Sequence, residues 1–235
     1  MLIERFKHST INREVVDGKR HYVTPLGHRV PSVTTILDKT KPAEDRQALA
    51  NWKKAVGEKR AQEITSEAAS RGTRMHSYIE NYIKGETLKE SVSNPYANQS
   101  LLMAKKVIAE GFTKVTEVWG SEVPLYFPEL YAGTTDCVGI HDGDEAILDF
   151  KQSNKPKKQE YIEDYFLQLT AYALAHNEVF GTNIRKGVIM MCVRPPEVAP
   201  GQWGEPVYQQ FILEPKDFDY WTNRWCDRVS EYYQM

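Results

Sequence analysis

The chain has 235 residues, of which 41% are hydrophobic and 26% are charged, and its formal net charge is −2 at pH 7. This composition is that of an ordinary globular protein and excludes a disordered or fibrous chain, while the charge gives no overall attraction to nucleic acid. The three cysteines are scattered, which excludes a disulfide framework and favours a reducing compartment.

The first half of the chain predicts short strands followed by helices. Residues 13–23 contain two β-favouring runs around the Asp17–Gly18 turn signal. Ser32 is the predicted N-cap of a first helix, and Pro42 opens a second. A third helix is expected over residues 57–83, and a fourth over residues 101–112 after a loop at 91–100.

The second half of the chain has the pattern of a sheet with one long helix. Strands are expected over residues 114–127, 130–140, 145–151, 186–193 and 207–213, with helices over residues 158–180 and from Pro215 onwards. The order α-β-β-β-α-β predicts a mixed α/β fold, with a central mixed sheet flanked by helices. We expect one domain, with a hairpin and helical lobe in residues 1–112 and the sheet core and C-terminal helix in residues 113–235.

Two acids and a lysine lie on neighbouring predicted strands. Asp136 is in one apolar run, and Asp149 and Lys151 are in the next. The HDGD segment at 141–144 predicts a hairpin turn between them. Residues i and i+2 of a strand share a face, so Asp149 and Lys151 project together and pairing brings Asp136 beside them. Two adjacent carboxylates predict a divalent cation, which would offset their repulsion.

These residues belong to a larger ordered set. RGTRMHSYIE at 71–80 contains His76, QLTAY at 168–172 follows the lysine strand, and PSVTTIL stands at 31–37. Together with Asp136 and Asp149-Phe150-Lys151, the set resembles the RecB-like branch of the PD-(D/E)XK nucleases. Within that branch it looks like the group of mitochondrial genome maintenance exonucleases and related phage exonucleases. The resemblance implies a PD-(D/E)XK core.

The resemblance also implies a metal centre with one or two Mg²⁺ or Mn²⁺ ions and no iron–sulfur cluster. The residues that it assigns to catalysis are Asp136, Asp149, Lys151 and Glu122. The residues that it assigns to the metal are His76, Asp136, Asp149, the Phe150 carbonyl, Glu122 and Glu80. Hard oxygen ligands and one imidazole suit Mg²⁺ and Mn²⁺. Lys151 would orient the attacking water and stabilise developing charge.

A second set of residues is expected to bind the substrate. Gln168 and Tyr172 lie one helical turn apart and share a face, as do Thr73 and His76. The set consists of Gln168, Tyr172, Thr73, Lys155, Lys157 and Lys158. Lysines beside the site would attract phosphates irrespective of base sequence.

The predicted function is that of a metal-dependent DNA exonuclease acting on single-stranded DNA or DNA ends, in DNA repair or recombination. A structure-specific endonuclease on the same core and a non-catalytic nucleic-acid-binding module are the alternatives. No apolar run approaches membrane-spanning length. We therefore expect a soluble protein of a reducing compartment, cytoplasmic or in the host cytoplasm if phage-encoded, with a replication or recombination protein as a partner.

His76 must reach the metal from the N-terminal helices. We therefore expect these helices to pass over the catalytic sheet and to leave a passage instead of an open groove. A single strand is narrow enough to thread such a passage from a free end, and backbone lysines with stacking aromatics would hold it without sequence preference.

Overall fold

The computed structural model describes residues 2–16 and 18–235 of the chain. An antiparallel three-stranded sheet and four helices form its N-terminal part. The strands are β1 (Asn12–Val16), β2 (Lys19–Val23) and β3 (Arg29–Pro31), and the helices are α1 (Val33–Lys39), α2 (Ala43–Val56), α3 (Glu58–Ile83) and α4 (Pro95–Gly111). The predicted turn between β1 and β2 includes Asp17, which lies outside the described residues.

Two helix starts show the local chemistry that fixes the N-terminal part. The Ser32 hydroxyl accepts a hydrogen bond from the Thr35 N–H at 3.0 Å, which confirms the predicted N-cap. Helix α4 begins at Pro95, inside the segment that was expected to be a loop. Asn94 caps it by accepting from the Ala97 N–H, and proline at the first helical position costs no hydrogen bond.

The second part of the chain contains the main sheet. Its elements are β4 (Val115–Phe127), β5 (Tyr131–His141), β6 (Asp144–Ser153), α5 (Glu163–Phe180), β7 (Lys186–Val193), β8 (Glu197–Ala199), β9 (Gln202–Trp203), β10 (Val207–Leu213) and α6 (Phe218–Tyr233). The predicted order α-β-β-β-α-β is confirmed by the run from α4 to β7. Helix α5 starts later than expected, because a 3₁₀ turn at Gln159–Tyr161 precedes it.

The main sheet has the strand order β10-β7-β6-β5-β4. Strands β6 and β7 are parallel and the other neighbours are antiparallel, so the sheet is mixed, as predicted. The turn between β5 and β6 has positive φ at both central residues, 52° at Asp142 and 87° at Gly143, which suits a tight hairpin. Every residue of β7 is buried, as expected for a strand covered on both faces.

Helices cover both faces of this sheet. Ile147 of β6 and Ile189 of β7 pack in a core with α1, α5 and α6. Leu148 and Phe150 of β6 point to the opposite core, which α3 and α4 complete. Helix α3 is therefore docked directly on β6. Across the described residues, no helix combines the length and apolar character that crossing a bilayer requires.

A close backbone approach fixes the pairing of β4 with β5. The register shifts between Val118 and Gly120, where β4 forms a bulge opposite Gly139. A Cβ atom added at Gly139 would lie 2.0 Å from the Glu117 carbonyl oxygen. Only glycine fits at this position, because the obstacle is backbone and cannot turn away.

We predict that Gly139→Ala lowers the free energy of unfolding by about 3 kcal/mol or more, since the strands must separate to admit the methyl group. Urea denaturation measures the change. Gly72→Ala is the matched control, because its added Cβ would lie 3.4 Å from Gln152 Cγ, an ordinary contact, inside helix α3. It should be neutral or stabilising. Similar losses in both variants would contradict the assigned strand register.

Candidate functional site

Strands β5 and β6 separate in the middle of the sheet. Their pairing runs from the hairpin turn to Cys137 and Leu148 and ends there. Beyond that point β5 stays paired with β4, and β6 stays paired with β7. The next residues, Asp136 and Asp149, therefore stand at the opening of a fork. We call this opening, with the side chains that fill it, the fork site.

Side chains replace the missing strand at the fork site. The Phe150 N–H donates to Asp136 Oδ2 at 2.7 Å, and the Phe150 carbonyl oxygen lies 2.8 Å from His76 Nε2. A buried peptide group needs such partners, since an unpaired one is costly. The fork therefore stays open because an acid from β5 and an imidazole from α3 satisfy the edge of β6.

The tautomer of His76 follows from these contacts. A carbonyl oxygen only accepts, so Nε2 carries the proton that it donates to Phe150. In the neutral ring, Nδ1 then presents a lone pair, and it lies 3.5 Å from the carboxylate oxygen Asp136 Oδ1. Two acceptors facing each other are unfavourable unless a proton or a metal cation lies between them.

Glu122 completes a cluster of acceptors. It lies opposite Asp136, between the pairs Ser121–Cys137 and Val123–Thr135, so both acids share one face. Its φ of 52° is in the left-handed region, a strained conformation for glutamate. Ligand atoms of His76, Glu122 and Asp136 all lie within 4.8 Å of one another. Desolvation and the Asp136 and Glu80 carboxylates raise the pKa of Glu122 to about 7.

This donor set fits a hard or borderline divalent cation. Two carboxylates and an imidazole are ligands that suit Mn²⁺, and carboxylate oxygens suit Mg²⁺. The other three predicted ligands are not part of this close group. The Phe150 carbonyl already accepts from His76, and Asp149 lies outside the close group. Glu80 Oε2 lies 3.8 Å from Lys84 Nζ, and the negative charge of Glu80 contributes to the raised pKa of Glu122.

Asp149 and Lys151 form a buried ion pair beside the cluster. Asp149 is 2% exposed, and its Oδ2 lies 2.5 Å from Lys151 Nζ. Burial raises the pKa of Asp149, and Lys151 opposes that rise. Burial disfavours the ammonium, yet Asp149 and Asp136 raise the pKa of Lys151 above its usual value. The lysine is therefore held charged next to both acids.

Tyr172 and Gln168 support the sheet beneath the fork site. Tyr172 is 3% exposed, and its burial raises its pKa while a hydrogen bond with Gln168 opposes the rise. A Cβ atom added at Gly133 would lie 2.8 Å from the Tyr172 hydroxyl oxygen, so the ring packs against β5 backbone. This placement suits bracing of the strand and leaves Tyr172 little surface for a substrate.

The remaining predicted substrate residues lie at the surface. The exposed Thr73 hydroxyl donates to the Ala69 carbonyl within α3. Lys155 and Lys158 are exposed, and Lys158 lies 3.7 Å from Glu160. The backbone of Lys157 is fixed by the side-chain amide of Gln209. The assignment of these residues to substrate binding stays a prediction.

Arg71 is a residue of the site region that the sequence did not identify. Its Nε donates to Gln152 Oε1 at 3.0 Å, and a second nitrogen donates to Asn154 Oδ1. These bonds join α3 to the end of β6, just beyond Lys151. Arg71 belongs to the motif at 71–80, but a contact between residues 81 positions apart leaves no periodic signal in the sequence.

We predict that Glu122→Gln stabilises the metal-free protein but reduces its stabilisation by Mn²⁺. The variant removes one charge from a cluster of acids, and with it one anionic ligand. A tenfold loss of affinity would remove about 1.4 kcal/mol of stabilisation at saturating Mn²⁺. Thermal unfolding with and without Mn²⁺ measures both effects.

Glu129→Gln is the matched control, because Glu129 also has positive φ, 65°, in the turn after β4, but lies outside the cluster. It should respond to Mn²⁺ as the wild type does. If Glu122→Gln and Glu129→Gln gained equal stability from Mn²⁺, Glu122 would not be a ligand.

Comparisons with known proteins identify similar exonucleases. The chain is 28% identical over 214 residues to human mitochondrial genome maintenance exonuclease 1, and 28% identical over 217 residues to the protein of that name from Xenopus tropicalis. Each match covers 86% of this chain, which spans 58% and 57% of the length of those two relatives. No protein-family model matches the chain.

A solved structure of a candidate exonuclease from Eubacterium rectale superposes with a TM-score of 0.45 and 14% identity, over 69% of this chain and 63% of that one. The sequence matches extend well beyond the fork site. The resemblance found in the motifs is confirmed: over most of its length this chain is similar to mitochondrial genome maintenance exonuclease 1.

Proposed function

We propose that this chain is a metal-dependent nuclease that hydrolyses phosphodiester bonds of DNA at the fork site. The observation that carries the proposal is the convergence of His76, Glu122 and Asp136 next to a charged Lys151. The three acceptor side chains lack enough hydrogen-bond donors, which suits a divalent metal ion. The ammonium of Lys151 beside them suits an anionic substrate. The similarity to proteins named as exonucleases supports the same reaction class.

The cofactor in this proposal is Mg²⁺ or Mn²⁺. His76, Glu122 and Asp136 would hold it, with Asp149 adjacent, and it would supply Lewis acidity and positive charge against the phosphate. The facing lone pairs of His76 Nδ1 and Asp136 Oδ1, 3.5 Å apart, are the feature that this ion would satisfy.

The protein's own residues provide position and charge. Lys151 is held beside the fork by Asp149 and lies 5.0 Å above the Tyr165 ring, so its ammonium cannot move far. From there it can orient the attacking water and donate to a phosphate oxygen as negative charge develops. His76 donates to the Phe150 carbonyl and Asp136 accepts from the Phe150 N–H, so both side chains are held at the edge of β6 next to Asp149.

The proposed substrate is single-stranded DNA or a DNA end. Helix α3 contacts β6 at Phe150 through His76 and at Gln152 through Arg71, so it lies along the fork. A helix in this position restricts access from that face and favours a narrow, flexible strand over an intact duplex. Phosphate contacts from surface lysines would add affinity without base recognition.

We predict that Lys151→Gln lowers the cleavage rate of single-stranded DNA about a thousandfold, equivalent to about 4 kcal/mol of transition-state stabilisation. A gel assay with an end-labelled oligonucleotide and Mn²⁺ measures the rate. Lys216→Gln is the matched control, because it makes the same change at an exposed lysine outside the fork site and outside the predicted substrate-binding set. Comparable rates for Lys151→Gln and Lys216→Gln would refute the catalytic assignment.

We predict that linear single-stranded DNA is degraded and that the same strand closed into a circle is not. A strand that is fed past α3 into the fork site needs a free end, whereas a strand that lies across an open groove does not. The two substrates are compared at equal concentration with Mn²⁺, and chelation of the metal should stop degradation of the linear strand. Equal cleavage of both would favour the structure-specific endonuclease.

A further inference from the structure

A second concentration of positive charge lies beyond the fork site, at the end of β6. Arg71 is 3% exposed, and it donates to the neutral side chains of Gln152 and Asn154. A buried guanidinium is normally paired with an acid, because burial of an unpaired charge is costly. Within the described part of the chain, no carboxylate oxygen lies within 4 Å of Arg71.

Arg194 reaches the same place from the neighbouring strand. The backbone N–H of Arg194 donates to the Ser153 carbonyl at 2.8 Å, and Ser153 lies between the two residues that Arg71 contacts. The Arg194 residue is exposed. Its guanidinium makes no hydrogen bond or ion pair with any described residue. Arg194 therefore adds charge beside Arg71 without a structural contact of its own.

Arg74 is the third member, one helical turn after Arg71 on α3. Its Nε donates to the Ser100 hydroxyl of α4 at 3.3 Å, and among the described residues it too has no acid within ion-pair distance. Burial, Arg194 and Arg74 lower the pKa of Arg71, and Glu67 opposes them. We call Arg71, Arg74 and Arg194 the arginine cluster.

A purely structural role does not account for this cluster. Arg71 alone would suffice to join α3 to β6, and like charges placed beside it weaken that contact. Three guanidinium groups with spare N–H donors are suited to bind an oxyanion such as phosphate, because each can donate two parallel hydrogen bonds to two of its oxygens. The cost of the cluster is offset when an anion is bound.

We propose that the arginine cluster binds a phosphate group of the nucleic-acid strand other than the one that is cleaved. The inference rests on the proposed function, since it takes the strand as the ligand. Asn154 is three residues beyond Lys151, about 10 Å along an extended strand, and the two side chains point to opposite faces of β6. A strand that contacts both Lys151 and the arginine cluster must therefore run along the edge of β6 that the fork leaves open. The phosphate is either an internal diester or the terminal monoester, and both present anionic non-bridging oxygens that guanidinium groups can bind.

The test is a binding measurement on Arg194→Gln, which removes no hydrogen bond or ion pair of the described structure. Fluorescence polarisation of a labelled oligothymidylate is recorded with chelator, so that no hydrolysis occurs, over a series of salt concentrations. The variant should bind about fivefold to tenfold more weakly near 100 mM salt, and its log–log salt slope should be shallower by about 0.7. Arg74→Gln should behave similarly.

Arg185→Gln is the matched control. Arg185 immediately precedes β7 and Arg194 immediately follows it, so the same charge is removed at the opposite end of one strand. Arg185 pairs with Asp219, far from the fork site. If Arg194→Gln and Arg185→Gln changed the affinity and the salt slope equally, or neither changed them, the cluster would not be a phosphate site.

Two further comparisons complete the test. Oligonucleotides with a 5′-phosphate, a 3′-phosphate or two hydroxyl ends identify the source of the phosphate: an effect of Arg194→Gln confined to one phosphorylated end assigns the terminal monoester, and an equal effect on all assigns an internal diester. Cleavage by the wild type with Mn²⁺ is recorded separately. Its absence would refute the proposed function, whereas an unchanged salt slope in Arg194→Gln would refute the arginine cluster.

Discussion

The structure depends on the two hydrogen bonds made by the backbone of one residue, Phe150. Where β5 turns away from β6, the N–H and carbonyl of this residue lose their strand partner and gain Asp136 and His76. The fork therefore remains open while the N–H and carbonyl of Phe150 stay satisfied. The same bonds fix an acid from β5 and a histidine from α3 in position. The hydrogen bonds that satisfy the backbone of β6 are therefore also the ones that assemble the site.

Charge in this region is arranged in layers along β6. Asp136 and Glu122 concentrate negative charge at the fork, Lys151 stands next to them with Asp149, and three arginines follow at the strand's end. Each layer is unfavourable alone, because like charges repel and buried charges lose hydration. A bound metal ion would neutralise the acids, and the phosphates of a nucleic-acid strand would neutralise the lysine and the arginines. We therefore interpret this whole edge of β6 as a binding surface for a nucleic-acid strand.

Much of this arrangement was accessible from the sequence, for identifiable reasons. The period of two in a strand placed Asp149 with Lys151, and the HDGD turn brought Asp136 to them. His76 came from a resemblance, since helical spacing alone does not distinguish a ligand from a surface histidine. The positive φ of Glu122, the contact of His76 with Phe150 and the position of Arg71 depend on packing between distant segments, and no local pattern encodes them. The Asn94–Pro95 helix start, by contrast, is encoded locally by the capping asparagine and the proline at the first helical position.

The sequence separation of the two Phe150 contacts sets the order in which the site forms. Asp136 is 14 residues away, within one hairpin, whereas His76 is 74 residues away. Closing the longer loop costs more chain entropy and waits for α3 to dock. We infer that the hairpin assembles first and that the exposed carbonyl of Phe150 stays hydrated until late in folding. A nascent or partly unfolded chain would therefore hold Asp136 against Phe150 before His76 arrives, so the group of ligand atoms is complete only when α3 has docked.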